Sequence, residues 1–127
     1  MRVTSCGLSG RPAYRALVAI PLRLDTGDLR VAYDLLSGDT SLAPGTEVWV
    51  PGGARLRFMR RIPEGRAPEG GRLEFQLTDA TRASAEPLAG WLYERLQSRV
   101  PTVHLGGMAV PVDREALQRA LFHAISG

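Results

Sequence analysis

Hydrophobic and polar positions change period near residue 84, and this change separates predicted strands from predicted helices. Tyr14 to Leu24 is mostly apolar and predicts a strand, with Pro21 placing it at an edge or a bend. Asp25-Thr26-Gly27-Asp28 carries the composition of a hairpin turn. Leu29 to Leu35 alternates Leu29, Val31, Tyr33 and Leu35 with Arg30, Ala32 and Asp34, the period of a half-buried strand. Ser37 to Gly45 is rich in turn residues. Thr46 to Val50 predicts another strand, broken by Pro51-Gly52-Gly53. Arg55 to Ile62 sets Leu56, Phe58 and Arg60 against Arg55, Arg57, Met59 and Arg61. Pro63-Glu64-Gly65 and Pro68-Glu69-Gly70 bracket an exposed loop tip. Arg72 to Leu77 follows, with Leu73, Phe75 and Leu77 on one face. Short strands at this spacing predict a small antiparallel barrel.

Beyond Ser84 the period becomes helical. Ser84 is a candidate cap for a helix with Glu86 and Pro87 in its first turn and Leu88, Trp91, Leu92 and Leu96 on one face. Val100-Pro101 ends it. Thr102 to Val112 is extended around Gly106-Gly107. Asp113 can cap a final helix whose apolar stripe is Leu117, Ala120, Leu121, Ala124 and Ile125. No linker divides the chain, so residues 1–127 are read as one domain, mainly β with C-terminal α.

Composition narrows the function classes. All 16 basic residues are arginine and none is lysine, a bias that reads as the coding preference of a GC-rich genome. A net charge of +3 implies no nucleic acid without a clustered patch. The single cysteine, Cys6, can form no internal disulfide and fits a reducing compartment. No secretory segment follows Met1, and no apolar run approaches the ~18 residues of a membrane span, so a cytoplasmic protein without membrane insertion is expected. His104 and His123 lack carboxylate or cysteine partners at ligand spacing, and no serine sits in a nucleophile elbow. An enzyme is not expected, nor a metal or a cofactor.

Two arginine groupings remain. Arg57, Arg60 and Arg61 surround Phe58, and with Trp49 and Tyr33 on neighbouring strands they would form a stacking surface for single-stranded nucleic acid. Strict alternation gives the opposite arrangement, with Phe58 in the core and the arginines outside. Trp91 reads as core. Met108 with Leu117, Leu121 and Ile125 would either dock a protein partner or pack the last helix on its own sheet. The second grouping is Arg11-Pro12-Ala13-Tyr14-Arg15. A guanidinium fork can grip phosphate and the O6/N7 edge of guanine, so two forks before a strand would hold a guanine nucleotide.

The order from this pair onward resembles a PilZ domain over roughly residues 11 to 99. "RPAYRALVAIPLRL" looks like the family's opening segment. "LAPGTEVWV" looks like its Pro-Gly-led strand, and "GRLEFQLTDATRASAEPLAGWLYERL" like its closing strand and helix. The resemblance implies a six-stranded antiparallel barrel that binds cyclic di-GMP, with Arg11 and Arg15 on its guanines and phosphates. The family's second motif, D/N-x-S-x-x-G, has two approximate counterparts. In Asp39-Thr40-Ser41 Pro44 stands at the glycine position, and in Asp34 to Gly38 the serine, Ser37, comes one residue late. The implied ligand contacts are therefore Arg11, Arg15, Asp39, Ser41, Asp34 and Ser37. Thr102 to Val112 would supply the sixth strand, and that strand with the last helix would be an addition over residues 100–127. The expected function is a non-enzymatic regulator that binds cyclic di-GMP and acts on a protein partner. The alternatives are a small barrel that binds only protein and a nucleic-acid-binding barrel.

Overall fold

The computed structural model describes residues 19–38 and 41–126. Six strands form one antiparallel sheet: β1 (Ile20–Leu24), β2 (Glu47–Val50), β3 (Ala54–Pro63), β4 (Gly71–Thr78), β5 (Thr102–Leu105) and β6 (Met108–Pro111). Their order across the sheet is β2-β3-β4-β1-β5-β6. Helices α1 (Leu29–Leu35), α2 (Ala85–Leu96) and α3 (Arg114–Ser126) complete a mixed α/β architecture. Among the described residues β2 and β6 do not pair, so the sheet stays open where a barrel was expected.

The core forms because alternate strand residues point the same way. Ile20, Leu22 and Leu24 of β1 lie opposite Leu77, Phe75 and Leu73 of β4, and all six are buried. Leu56, Phe58, Val103, Leu105 and Val110 extend this face, with the Phe58 and Phe75 rings tilted at a centroid distance of 5.5 Å. The helices bury Val31, Ala32, Leu35, Leu88, Leu92, Leu96, Leu117 and Leu121 in the same cluster. Asp113 caps α3, its carboxylate accepting the Ala116 N–H at 3.0 Å, as its position before the stripe predicted. Ser84 is fully buried, and its hydroxyl donates to the Gly52 carbonyl at 2.7 Å, so it ties α2 to the β2–β3 turn instead of capping the helix. Trp91 is half-buried, with the Arg95 guanidinium 5.5 Å from its ring.

Three expectations fail for identifiable reasons. Leu29 to Leu35 is a helix. Its apolar residues fit period 2, but Val31, Ala32, Leu35 and Leu36 also form one helical face, and these four are the ones buried. Asp25 to Asp28 is consequently no hairpin. Asp28 is the helix N-cap, its carboxylate accepting the Arg30 N–H at 2.9 Å. Thr26 and Gly27 are held to the Glu69 carbonyl of the β3–β4 loop at 3.3 and 2.8 Å. Thr102 to Val112 is two strands, folded at Gly106-Gly107. The count of six therefore holds, with different members.

Pro21 lies in a central strand, although it predicted an edge or a bend. A residue's N–H and C=O point to the same side of an antiparallel strand. The Pro21 carbonyl accepts from Gly106 N–H at 2.9 Å, so its missing N–H faces the hairpin turn just beyond the end of β5, where no strand partner needs it.

Candidate functional site

The buried residues of all three helices join the core cluster that the inward strand residues form. The other side of the sheet carries the outward residues of each strand and is covered by no helix among the described residues. It is set with charges in register. Arg23 of β1 lies between Glu74 of β4 and His104 of β5, and Arg57 of β3 lies between Glu47 of β2 and Gln76 of β4. Glu74 bridges two arginines, at 2.6 Å from Arg60 Nε and 3.2 Å from Arg72 Nε. Arg55 donates through Nε to Asp79 at 2.8 Å and lies 3.6 Å from Glu47. Asp25 accepts from His104 Nε2 at 2.8 Å, and its other carboxylate oxygen lies 3.4 Å from Arg23 Nε. Positive and negative groups alternate, so the face has no continuous positive field to draw a polyanion.

A depression of about 580 Å³ crosses this face over β3, β4, β1 and β5. Its walls include Arg23, Met59, Arg60, Glu74, Gln76 and His104. The size falls within the ~300–1,000 Å³ of small-molecule sites. Its chemistry is mixed. Arg23 and Arg60 are forked donors, Glu74 is an acceptor, Gln76 is both, and Met59 and Pro21 supply apolar contact. Arg60 reaches the face through a β-bulge. Phe58 pairs with Phe75 and Arg60 with Glu74, which leaves Met59 as the extra residue. Strict alternation had placed Arg61 outward with Arg57. Past the bulge Arg61 pairs with Leu73, and its guanidinium donates to the Gly27 carbonyl at 2.6 Å and the Pro68 carbonyl at 3.2 Å.

Three of the six expected ligand residues, Asp34, Ser37 and Ser41, are among those described. Arg11, Arg15 and Asp39 fall outside the described residues. Asp34 sits on α1, where its carboxylate accepts from Arg99 at 2.6 Å and its carbonyl from Arg95 at 3.3 Å, so it ties α1 to the end of α2. Ser37 is exposed just after α1, with a left-handed φ of 57°. Ser41 is exposed, with its hydroxyl 3.4 Å from that of Thr46. None of Asp34, Ser37 and Ser41 lines the depression. The stacking set around Phe58 also separates: Phe58 is buried, Tyr33 is on α1, and only Trp49 is strongly exposed, at 71%. Arg55 lies 5.4 Å from the Trp49 ring. Leu117 and Leu121 are wholly buried, so that stripe packs the last helix on its own domain.

His104, which has no carboxylate partner at local spacing, meets Asp25 across the sheet, and Arg60 meets Glu74. The first pair depends on the β1–β5 register and spans 79 residues of chain. The second depends on a bulge. The outward residues Arg23, Arg72, Glu74 and Gln76 were the available signal. Among the described residues no group of His, Cys, Asp or Glu is arranged to hold a metal ion, and no helix is long and apolar enough to cross a membrane.

No protein-family model matches the sequence, and searches of curated proteins and of solved structures return no match. The likeness to PilZ domains thus rests on the local segments quoted above.

Proposed function

We propose that the protein is a non-enzymatic regulatory domain that binds a guanine nucleotide on the open face of its sheet, with cyclic di-GMP as the first ligand to test. The observation that carries this reading is the coupling of Arg60 to Glu74 inside the depression, beside Arg23 and Gln76. Guanine presents acceptors at N7 and O6 on one edge and donors at N1 and N2 on the adjacent edge. A guanidinium fork matches the first pair and a carboxylate the second, so neighbouring arginine and glutamate suit guanine better than any other base. Arg23 and His104, which also line the depression, supply the donors for phosphate in this reading. Arg11 and Arg15 enter as a second set of forks, expected from the resemblance. The interleaved charges favour a small nucleotide over a long polyanion.

Isothermal titration calorimetry tests this with cyclic di-GMP, GMP, AMP and a short oligothymidylate. The expected result is saturable heat with cyclic di-GMP and preference for GMP over AMP. One bidentate base contact is worth about 1–3 kcal/mol, so Arg60→Ala and Glu74→Gln should each weaken binding by roughly 5- to 150-fold. Arg11→Ala and Arg15→Ala measure the N-terminal set separately. No heat at tens of micromolar protein, or unchanged affinity in Arg23→Ala and Arg60→Ala, would sink the reading. Tight oligothymidylate binding that collapses with salt would instead mark a nucleic-acid surface.

A further inference from the structure

The two edges of the sheet are not equivalent. On β6, Leu105 and Met108 flank the two-residue turn, and the Val112 N–H donates to the Pro101 carbonyl at 3.0 Å. Bonding therefore alternates so that Ala109 and Pro111 face outward. Proline has no N–H, and this edge offers a single donor. On β2, the Gly45 N–H donates to the Phe58 carbonyl at 2.7 Å and the Phe58 N–H to the Thr46 carbonyl at 2.8 Å. With Gly45 at φ 94°, this is a glycine bulge. It sets the phase of the strand: Val48 and Val50 bond inward to Leu56 and Ala54, while Glu47 and Trp49 turn both backbone groups outward. Among the described residues nothing pairs with them, and among those residues Trp49 is the most exposed large apolar side chain.

We infer that the β2 edge pairs with β2 of a second copy of this chain, antiparallel across a two-fold axis at Val48. Only one register fits. With Glu47 opposite Trp49 of the second copy, and the reverse, all four outward N–H groups and all four outward carbonyls are bonded. Sliding one way sets Glu47 against Glu47 of the second copy, like charges directly opposed, and sets Trp49 against Gly45, whose N–H is already used. Sliding the other way sets Glu47 against Pro51, which has no N–H. In the fitting register each cross-strand row reads Arg55, Trp49, Glu47, Arg57, the last two from the second copy, and no like charges face each other. The edge is complementary to itself, and this selects a second copy over an arbitrary extended peptide.

The test is a site-specific cross-link on the full chain carrying Cys6→Ser. Val48 and its copy form a non-hydrogen-bonded pair with Cα atoms about 4.5 Å apart, inside the range of a disulfide. Val48→Cys should give a covalent dimer under mild oxidation, and Ala109→Cys on the opposite edge should not. Sedimentation velocity of the unmodified protein should show a concentration-dependent dimer. Trp49→Glu, which places a carboxylate opposite Glu47 of the second copy, should raise the dissociation constant at least tenfold, with circular dichroism confirming the fold. A protein that stays monomeric to several hundred micromolar overturns the inference. So does a dimer that cross-links through Ala109 and not Val48, or one that Trp49→Glu leaves unchanged.

Discussion

Asp28 caps the helix over residues 29–35, and its replacement has a magnitude that can be worked from the structure. Its carboxylate accepts the Arg30 N–H at 2.9 Å and faces the Arg30 guanidinium at 2.8 Å. Losing an N-cap acceptor costs typically ~1 kcal/mol, within about 0.5–2. The ion pair adds little, because the Arg30 side chain is 79% exposed. Asp28→Ala should therefore lower stability by about 1 kcal/mol at pH 7, and Asp28→Asn, which keeps an acceptor oxygen, by only a few tenths. The Arg30 side chain and then its backbone N–H hold the Asp28 carboxyl below its ordinary value of 3.8. A depressed folded-state pKa gives stability that is present above 3.8 and is lost as pH falls through the lower folded value. The gap between the unmodified protein and Asp28→Asn should close below pH 3.8, while the gap between Asp28→Asn and Asp28→Ala stays. Urea denaturation of all three proteins from pH 7 down to about pH 2.5 measures both gaps. If Asp28→Asn is as damaging as Asp28→Ala, or if neither gap responds to pH, the capping account is wrong.

Three further substitutions separate backbone constraint from buried hydrogen bonding. Gly71 has φ 100°, and a Cβ there would collide with the Ile62 carbonyl, whereas Gly53 at φ 79° meets nothing within 4 Å. Thermal denaturation should show Gly71→Ala losing about 3 kcal/mol or more and Gly53→Ala about 1, since backbone strain alone is worth roughly 1–3. Ser84→Ala strips the buried hydroxyl that donates to Gly52 and accepts the Thr81 N–H at 3.0 Å. Its cost should be roughly 1–3 kcal/mol, with faster hydrogen exchange at the Thr81 amide.

What the sequence shows and hides follows from how local each signal is. β3, β4, α2 and α3 are legible because their apolar residues fit one period and clash with the other. Leu29 to Leu35 fits both, and the deciding residue lies outside the pattern: Asp28 reads equally well as a turn residue or a cap. Ala32 was placed on the polar face by alternation, yet it is wholly buried, so the small side chain concealed the helical stripe. The hairpin at Gly106-Gly107 has strands of only four residues, too short for a period to register. Strand order is a non-local fact. β1 lies between β4 and β5 because Leu22 meets Phe75 on one side and Leu105 on the other, and nothing near Leu22 in the chain encodes that.

The site is harder to read than the fold because one residue creates it. If β3 ran without interruption, Met59 would lie opposite Glu74 and Arg60 opposite Leu73, on the core side. Glu74 would then keep Arg72 alone, and Arg60 would take the place opposite Leu73 that Arg61 now holds. The bulge at Met59 exchanges these positions, bringing Arg60 out to Glu74 and moving Arg61 to the rim, where its fork holds the Gly27 and Pro68 carbonyls. That second contact braces the turn leading into α1 against the β3–β4 loop. The same extra residue therefore builds the donor–acceptor pair of the depression and ties down the segment that caps the first helix. An insertion that leaves the alternation of Arg57, Phe58 and the residues around them almost undisturbed carries no compositional mark, and only its pairing partners across the sheet reveal it.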